Sequence, residues 1–326
     1  MHQAREPRNY SNLTVGRMTW RAARGVLVVQ RLPFRTITES GDGGMTVPGS
    51  RNVVGYAWWC LAVLLSAMVV STPCSAGESL RLGGTGASLG LMQVLGEAFE
   101  RSNPDVKVEV VPSLGSSGGI KAAAKGAIDI AFSSRPLTAI ETDLNLTDTE
   151  WVRTPFVVAS GKETEAGDMS LPRLEQIYSG VVTSWPNRER IRLVLRPAAE
   201  SDTRIAKSIS PTLTRAIDSL SSLEGALIAV TDQENLATLA KIPGSLGFAT
   251  LAQVITEKRP VQIWSFAGVP PSVQSLKDGS YSLVKPLYMI TRPAPSANVK
   301  NFLAFLRTDQ ARSILTNSGA ASKEDW

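Results

Sequence analysis

The chain has 326 residues, 43 % of them hydrophobic and 19 % charged, which is enough apolar material for a real core and does not suggest disorder. An isoelectric point of 9.3 invites a nucleic-acid role, yet the net charge of +5 sits wholly in the first 76 residues, where eight Arg oppose Glu6, Glu39 and Asp42. Residues 77–326 carry 26 basic and 26 acidic side chains with no Lys/Arg run, so the electrostatic footprint of a nucleic-acid binder is missing.

Within the leader, Val53 to Val70 is an uncharged apolar run preceded by Arg51 and followed by Ser71-Thr72-Pro73-Cys74-Ser75-Ala76. This is the anatomy of a secretory signal peptide cleaved after Ala76, and it predicts an exported protein. Residues 1–44 are long and Arg-rich for the segment before such a core, and a start at Met45 would give an ordinary one. The alternative is an uncleaved anchor, since about 18 apolar residues just span a bilayer. Cys74 could carry a lipid, but Pro73 before it fits that poorly. Cys60, Cys74 and His2 all lie in the leader, so the expected mature chain has no Cys and no His. Disulfides, thiol catalysis, imidazole acid–base chemistry and most zinc or copper sites are thereby excluded; no metal and no cofactor is expected.

Leu80 to Leu82 reads as a strand entering the turn Gly83-Gly84-Thr85-Gly86. A helix follows on Leu91, Met92, Val94, Leu95, Ala98 and Phe99, and Asn103-Pro104 stops it. Val106, Val108 and Val110 alternate with Lys107 and Glu109 as a second strand. Gly115-Ser116-Ser117-Gly118-Gly119 is a second Gly/Ser turn opening a helical stretch from Ile120 to Lys125, and Ala127 to Phe132 is a third strand ending at Ser133-Ser134-Arg135-Pro136. This β-α-β-α-β order predicts a parallel sheet whose turns gather at the carboxyl ends of its strands, where open α/β sheets place ligands. An apolar strand at Thr154 to Ser160 leads into a second α/β region. It carries strands at Ile191 to Leu195 and Gly247 to Thr250, with a helical stretch from Thr203 to Ser208. Val284 to Ile290 is a further strand, and a single helix is expected over 297–315 with Val299, Phe302, Leu303, Phe305 and Leu306 on its apolar face.

Gly86-Ala87-Ser88-Leu89-Gly90 matches G-x-S-x-G on a strand-to-helix turn. With no mature His the usual triad cannot be built; a Ser-Lys hydrolase using Ser88 with Lys121 or Lys125 is the catalytic alternative. A dinucleotide fingerprint fails because the next strand ends at Val110-Val111 with no acidic residue for a ribose. A helix beginning at Ser88 instead presents free N–H groups, a positive dipole end and a hydroxyl, which suit an anion, although Ser88 could simply cap its helix. Ser116-Ser117-Gly118 and Ser201-Asp202-Thr203 repeat the arrangement, and Arg135 and Arg196 each follow a strand, where a guanidinium can fork onto two oxygens.

These segments in this order resemble the periplasmic phosphate-binding proteins of ABC transporters: Gly84 to Ser88, Gly115 to Gly119, Asp129 to Leu137, Leu174 to Gly180 with Trp185, Pro243 to Phe248, and Gly279 to Tyr288. The resemblance spans 80–320. It implies an α/β, two-lobed type II periplasmic binding protein, each lobe a mostly parallel sheet flanked by helices, with the ligand cleft between the lobes. Lobe one would hold 77–156 and the return 285–326, and lobe two 157–284, after the 1–76 leader. It implies no enzyme, a monomer, capture of inorganic phosphate or a similar oxyanion (sulfate, molybdate, tungstate), and delivery to an ABC permease, or else a sensor role in the same fold. Ligand groups would come from Thr85, Gly86, Ala87, Ser88, Ser116, Ser117, Gly118, Ser134 and Arg135 in lobe one and from Arg196, Ser201, Asp202 and Thr203 in lobe two. Two departures matter. Ser134 stands where the family has an aspartate that accepts the proton of hydrogen phosphate, and the Arg196-to-Ser201 spacing is one residue longer, with Asp202 in place of the usual glycine. Asp202 is the expected replacement acceptor, without which discrimination against sulfate should weaken.

Overall fold

The structure, a computed structural model, describes residues 78–325. The expected signal peptide, Met45 and Cys74 lie outside the described residues. Strand β1 (Glu78–Gly84) runs parallel to β2 (Val106–Val110) on one side and β3 (Ile130–Ser133) on the other. Helices α1 (Leu89–Ser102) and α2 (Gly115–Ala124) form the crossovers. β3 is followed in the sheet by β11 (Val284–Thr291), antiparallel, and then by β4 (Thr147–Gly161).

β4 joins the two halves. Its residues 147–155 pair with β11, whereas Phe156 to Ser160 pair with β8 (Ser245–Thr250). Beyond β8 lie β6 (Arg192–Leu195) and β7 (Leu227–Ile228), in parallel pairing. The short β9 (Val261–Ile263) and β12 (Ala321–Ser322) also pair with β4, and β5 (Asp168–Met169) pairs with β10 (Ser265–Phe266). The helices of the second half are α3 (Leu171–Tyr178), α4 (Ser201–Ser208), α5 (Pro211–Ser221), α6 (Asp232–Lys241), α7 (Leu251–Glu257) and α8 (Val273–Lys277). The chain then ends in α9 (Ala297–Phe305) and α10 (Asp309–Asn317).

Each half has its own core. In the first, Leu80, Leu82, Leu91, Leu95 and Phe132 meet Phe302, Phe305 and Leu315 from the tail, and Phe99 meets Phe302 edge-on at 5.2 Å. In the second, Phe156 stacks on Phe248 at 4.9 Å and Trp185 on Trp264 at 5.2 Å. The indole N–H groups are not left bare, since Trp264 donates to Ser160 Oγ and Trp185 to the Gly244 carbonyl.

Several expected boundaries are corrected. Helix α2 begins at Gly115, so the Gly/Ser turn is itself the first helical turn; the close approach of Gly119 to Gly84 favours the helix there over the poor helix propensity of glycine. α4 likewise begins at Ser201, not Thr203. β3 starts at Ile130, because the Ala127 N–H closes the preceding helix on the Ala122 carbonyl. The single helix expected over 297–315 is two: Thr308 breaks it, accepting a hydrogen bond from the Ala311 N–H and donating to the Phe305 carbonyl.

Candidate functional site

The first cradle is built by close backbone approach. Gly84 has φ +126°, and a Cβ there would lie 2.0 Å from the Phe132 carbonyl oxygen; a Cβ on Gly119 would lie 2.6 Å from the Gly84 Cα. Helix α2 therefore rests directly on the end of β1, which carries Ser116 to the end of β3. Thr85 Oγ1 and Ser134 Oγ are 2.9 Å apart, and the Ser134 N–H donates to Ser116 Oγ at 3.0 Å. Three of the expected hydroxyls thus converge at the carboxyl ends of β1 and β3.

The other expected residues of the first half lie around this cluster. Gly86, Ala87 and Ser88 form a 3-10 turn, and the main helix starts one residue later than expected, at Leu89. Ser88 is fully buried and its hydroxyl donates to the Thr85 carbonyl at 3.1 Å, bracing the turn. Lys121 on α2 and Lys125 at its C-terminal cap are exposed, and no described contact links either to Ser88, so the Ser-Lys dyad is not assembled. Arg135 does not present a free fork. It makes a two-pronged pair with Glu141 at 2.6 and 2.8 Å, and its second prong also donates to Ser117 Oγ at 2.9 Å. That guanidinium, first, with donors from Thr138, holds the Glu141 carboxyl down at about 2. Gly118 lies within α2 beside Leu114.

The second cradle lies at the end of β6. Arg196 is 6 % exposed; its Nη1 donates to the Ala229 carbonyl at 2.6 Å, while its Nε makes no hydrogen bond. Thr203 Oγ1 donates to the Arg196 and Pro197 carbonyls, folding the turn back over the strand end. Ser201, Asp202 and Thr203 form the buried first turn of α4. Around Arg196 stand Asp202 Oδ2 at 3.9 Å, Asp232 Oδ1 at 3.6 Å and Glu200 Oε2 at 3.9 Å. Desolvation raises the Glu200 pKa, helped by Asp232 and Asp202 and opposed by Arg196 and Lys285. Beside Arg196, Asp202 and Thr203 is a cavity of about 20 Å³, room for one water.

Three residues absent from the sequence-based expectation complete the site. Lys285, 1 % exposed on β11, forms an ion pair with Asp202 Oδ1 and lies 3.7 Å from Asp232 Oδ1. Asp202 is therefore already engaged by a buried cation. Gln233 Nε2 donates to the Gly86 carbonyl at 2.9 Å and to Glu257 at 2.8 Å, tying α6 to the first cradle. Asp232 presses on the same glycine, since a Cβ on Gly86 would lie 2.6 Å from Asp232 Oδ2. Signals existed for all three. Lys285 shares the inward side of its strand with Leu287, and Thr231 to Glu234 has the composition of a capped helix start. Among the described residues, no group of three or more His, Cys, Asp or Glu is disposed to hold a metal. A cavity of about 790 Å³ runs past Thr183, Arg192 and Leu227 at the β7 edge and shares none of the site residues.

Two α/β halves joined through β4 and β11, with strand ends, helix starts and buried polar groups facing one another, define a two-lobed type II periplasmic binding protein. The family model for the PBP superfamily domain matches residues 69–310, and the chain belongs to that superfamily. Among curated relatives, the phosphate-binding protein PstS of Bacillus subtilis (strain 168) is 26 % identical over 254 residues, covering 75 % of this chain and 80 % of that one. A Clostridium perfringens protein solved with bound phosphate superposes with a TM-score of 0.61 at 19 % identity, over 75 % of this chain and 99 % of that one. An ABC-type phosphate transport receptor from Vibrio cholerae gives 0.51 at 21 % identity, over 74 % and 99 %.

Proposed function

We propose that the chain is an exported, non-catalytic solute-binding protein that captures a tetrahedral oxyanion, phosphate first, for an ABC-type importer. The observation that carries this reading is the pairing of a hydroxyl cluster, Thr85, Ser116 and Ser134, with the buried, incompletely bonded guanidinium of Arg196 at the other cradle. Likeness to the phosphate-binding relative and to the fold of the phosphate-bound neighbour supports the choice of anion. Ligand contacts are assigned to Thr85, the backbone of Gly86 to Ser88, Ser116, Ser134, Arg196, Ser201 and Thr203. Arg135, Ser117 and Gly118 serve as supports.

In the same reading, lobe one comprises 77–156 and 285–326 and lobe two 157–284. The leader directs the protein to the periplasm through a signal peptide, and the protein works as a monomer without nucleic acid. Hydrogen bonds to a charged ligand contribute about 1.5–3 kcal/mol each, so six to eight donors can outweigh desolvation and leave micromolar binding. Calorimetry of the purified protein with phosphate, sulfate, molybdate and tungstate tests this. Binding of phosphate that disappears in Arg196→Ala is the expected result, and heat from none of the four would refute oxyanion capture.

A further inference from the structure

The geometry points to Asp232 as a built-in occupant of the oxyanion site, a carboxylate that closes the ligand-free cleft and that the incoming anion must displace. This inference rests on the oxyanion-capture reading for its ligand, though not for its structural half. Asp232 opens α6, where the Thr231 side chain caps the helix, and it is 5 % exposed. Its Oδ1 lies 3.6 Å from Arg196 Nη2 and 3.7 Å from Lys285 Nζ, the two buried cations of the site. Its other oxygen faces Gly86 in the first cradle, at a glycine whose Cβ would collide with it. One carboxylate therefore stands against both site cations and the first-cradle turn, the surroundings that the proposed ligand requires.

Charge explains why it must leave. The two buried cations, Arg196 and Lys285, are already matched by the buried Asp202 and Asp232, with the part-exposed Glu200 a further carboxylate 3.9 Å from Arg196, so the set has no spare positive charge. Adding an anion while both carboxylates stay would place uncompensated negative charge in a buried region, which is costly. Of the two, Asp232 is the one free to go. Asp202 is locked in its close pair with Lys285, whereas Asp232 meets its cations only at ion-pair distance, with no hydrogen bond to either. The unbonded Nε of Arg196 marks the remaining capacity, because a tetrahedral oxyanion can take two prongs of a guanidinium at hydrogen-bond distance and displace a carboxylate held at 3.6 Å. Closure is coupled to this contact through the next residue, since Gln233 holds the Gly86 carbonyl.

The test is Asp232→Asn in the whole protein, with Asp232→Ser as a second variant and thermal melting to establish that each is folded. Phosphate and sulfate are titrated by calorimetry, and the ligand-free proteins are compared by small-angle scattering. The expected result is at least tenfold tighter phosphate binding, tighter sulfate binding as well, and a larger ligand-free radius of gyration. Weaker or unchanged phosphate binding would overturn the inference, with lost phosphate-over-sulfate preference showing Asp232 to be a ligand partner instead. Should neither wild type nor variants bind any oxyanion, scattering alone decides. Expansion then keeps Asp232 as the closing group while refuting oxyanion capture, and no expansion overturns the inference itself.

Discussion

Replacing Lys285 by Met would leave Asp202 buried beside an apolar side chain. Lys285 and Asp202 are 1 % and 4 % exposed, so neither can recover water when its partner is removed. Breaking a buried pair from one side costs about 3–5 kcal/mol, because the remaining charge is uncompensated. Arg196 Nε, 3.9 Å from the other Asp202 oxygen, offsets part of this and places the expected cost near the lower end, about 3 kcal/mol. At roughly 2–4 °C per kcal/mol for a body of this size, Lys285→Met should melt about 6–12 °C below wild type. The double variant Lys285→Met/Asp202→Asn removes both charges and should recover most of that loss, since a neutral pair of similar shape carries no ionic desolvation cost. Urea unfolding followed by tryptophan fluorescence gives the same comparison as a shift in midpoint at constant slope. A single variant as stable as wild type, or a double variant no better than the single, would refute the view that these charges balance one another.

Two further perturbations follow from the same contacts. Glu141, held near 2 by Arg135, contributes stability that is present above the unfolded carboxylate range and lost as pH falls from about 4.5 towards 2. Glu141→Gln should therefore flatten the fall in melting temperature between pH 5 and 3, and an unchanged profile would remove the pair from the acid response. Gly86→Ala should push Asp232 and Gln233 away from the turn, breaking the Gln233 bond at a cost of about 0.5–1.5 kcal/mol and enlarging the ligand-free radius of gyration. Unaltered scattering would show that the two cradles are held together elsewhere.

The first half of the fold was legible because its signals are local. Val106 to Val110 alternates cleanly, α1 repeats its apolar residues at helical spacing, and the glycines at 84 and 119 mark the close approach that brings Ser116 to Ser134. The helices of the second half were harder. α5 and α6 announce themselves mainly by the caps Ser210 and Thr231, which look like any other turn residue until the apolar face behind them is assigned. Arg135 shows a different limit, since its position after a strand suggested a ligand fork, and only the fold brings Glu141 back beneath it.

The charged centre was the least visible part, and the reason is physical. Arg196, Asp202, Asp232 and Lys285 come from four separate elements, and their meaning lies in being buried together rather than in any spacing. A lysine on the inward side of β11 is costly alone, so its presence there implies a carboxylate opposite it, but which one depends on how α4 and α6 pack. Asp202 could be named from its place beside Ser201 and Thr203, yet the expectation that it receives a ligand proton ignored Lys285. Once Lys285 is placed, Asp202 becomes its counter-ion, and Asp232 is left as the carboxylate of the pair with no hydrogen bond to either cation, which is what the inferred displacement by an anion requires.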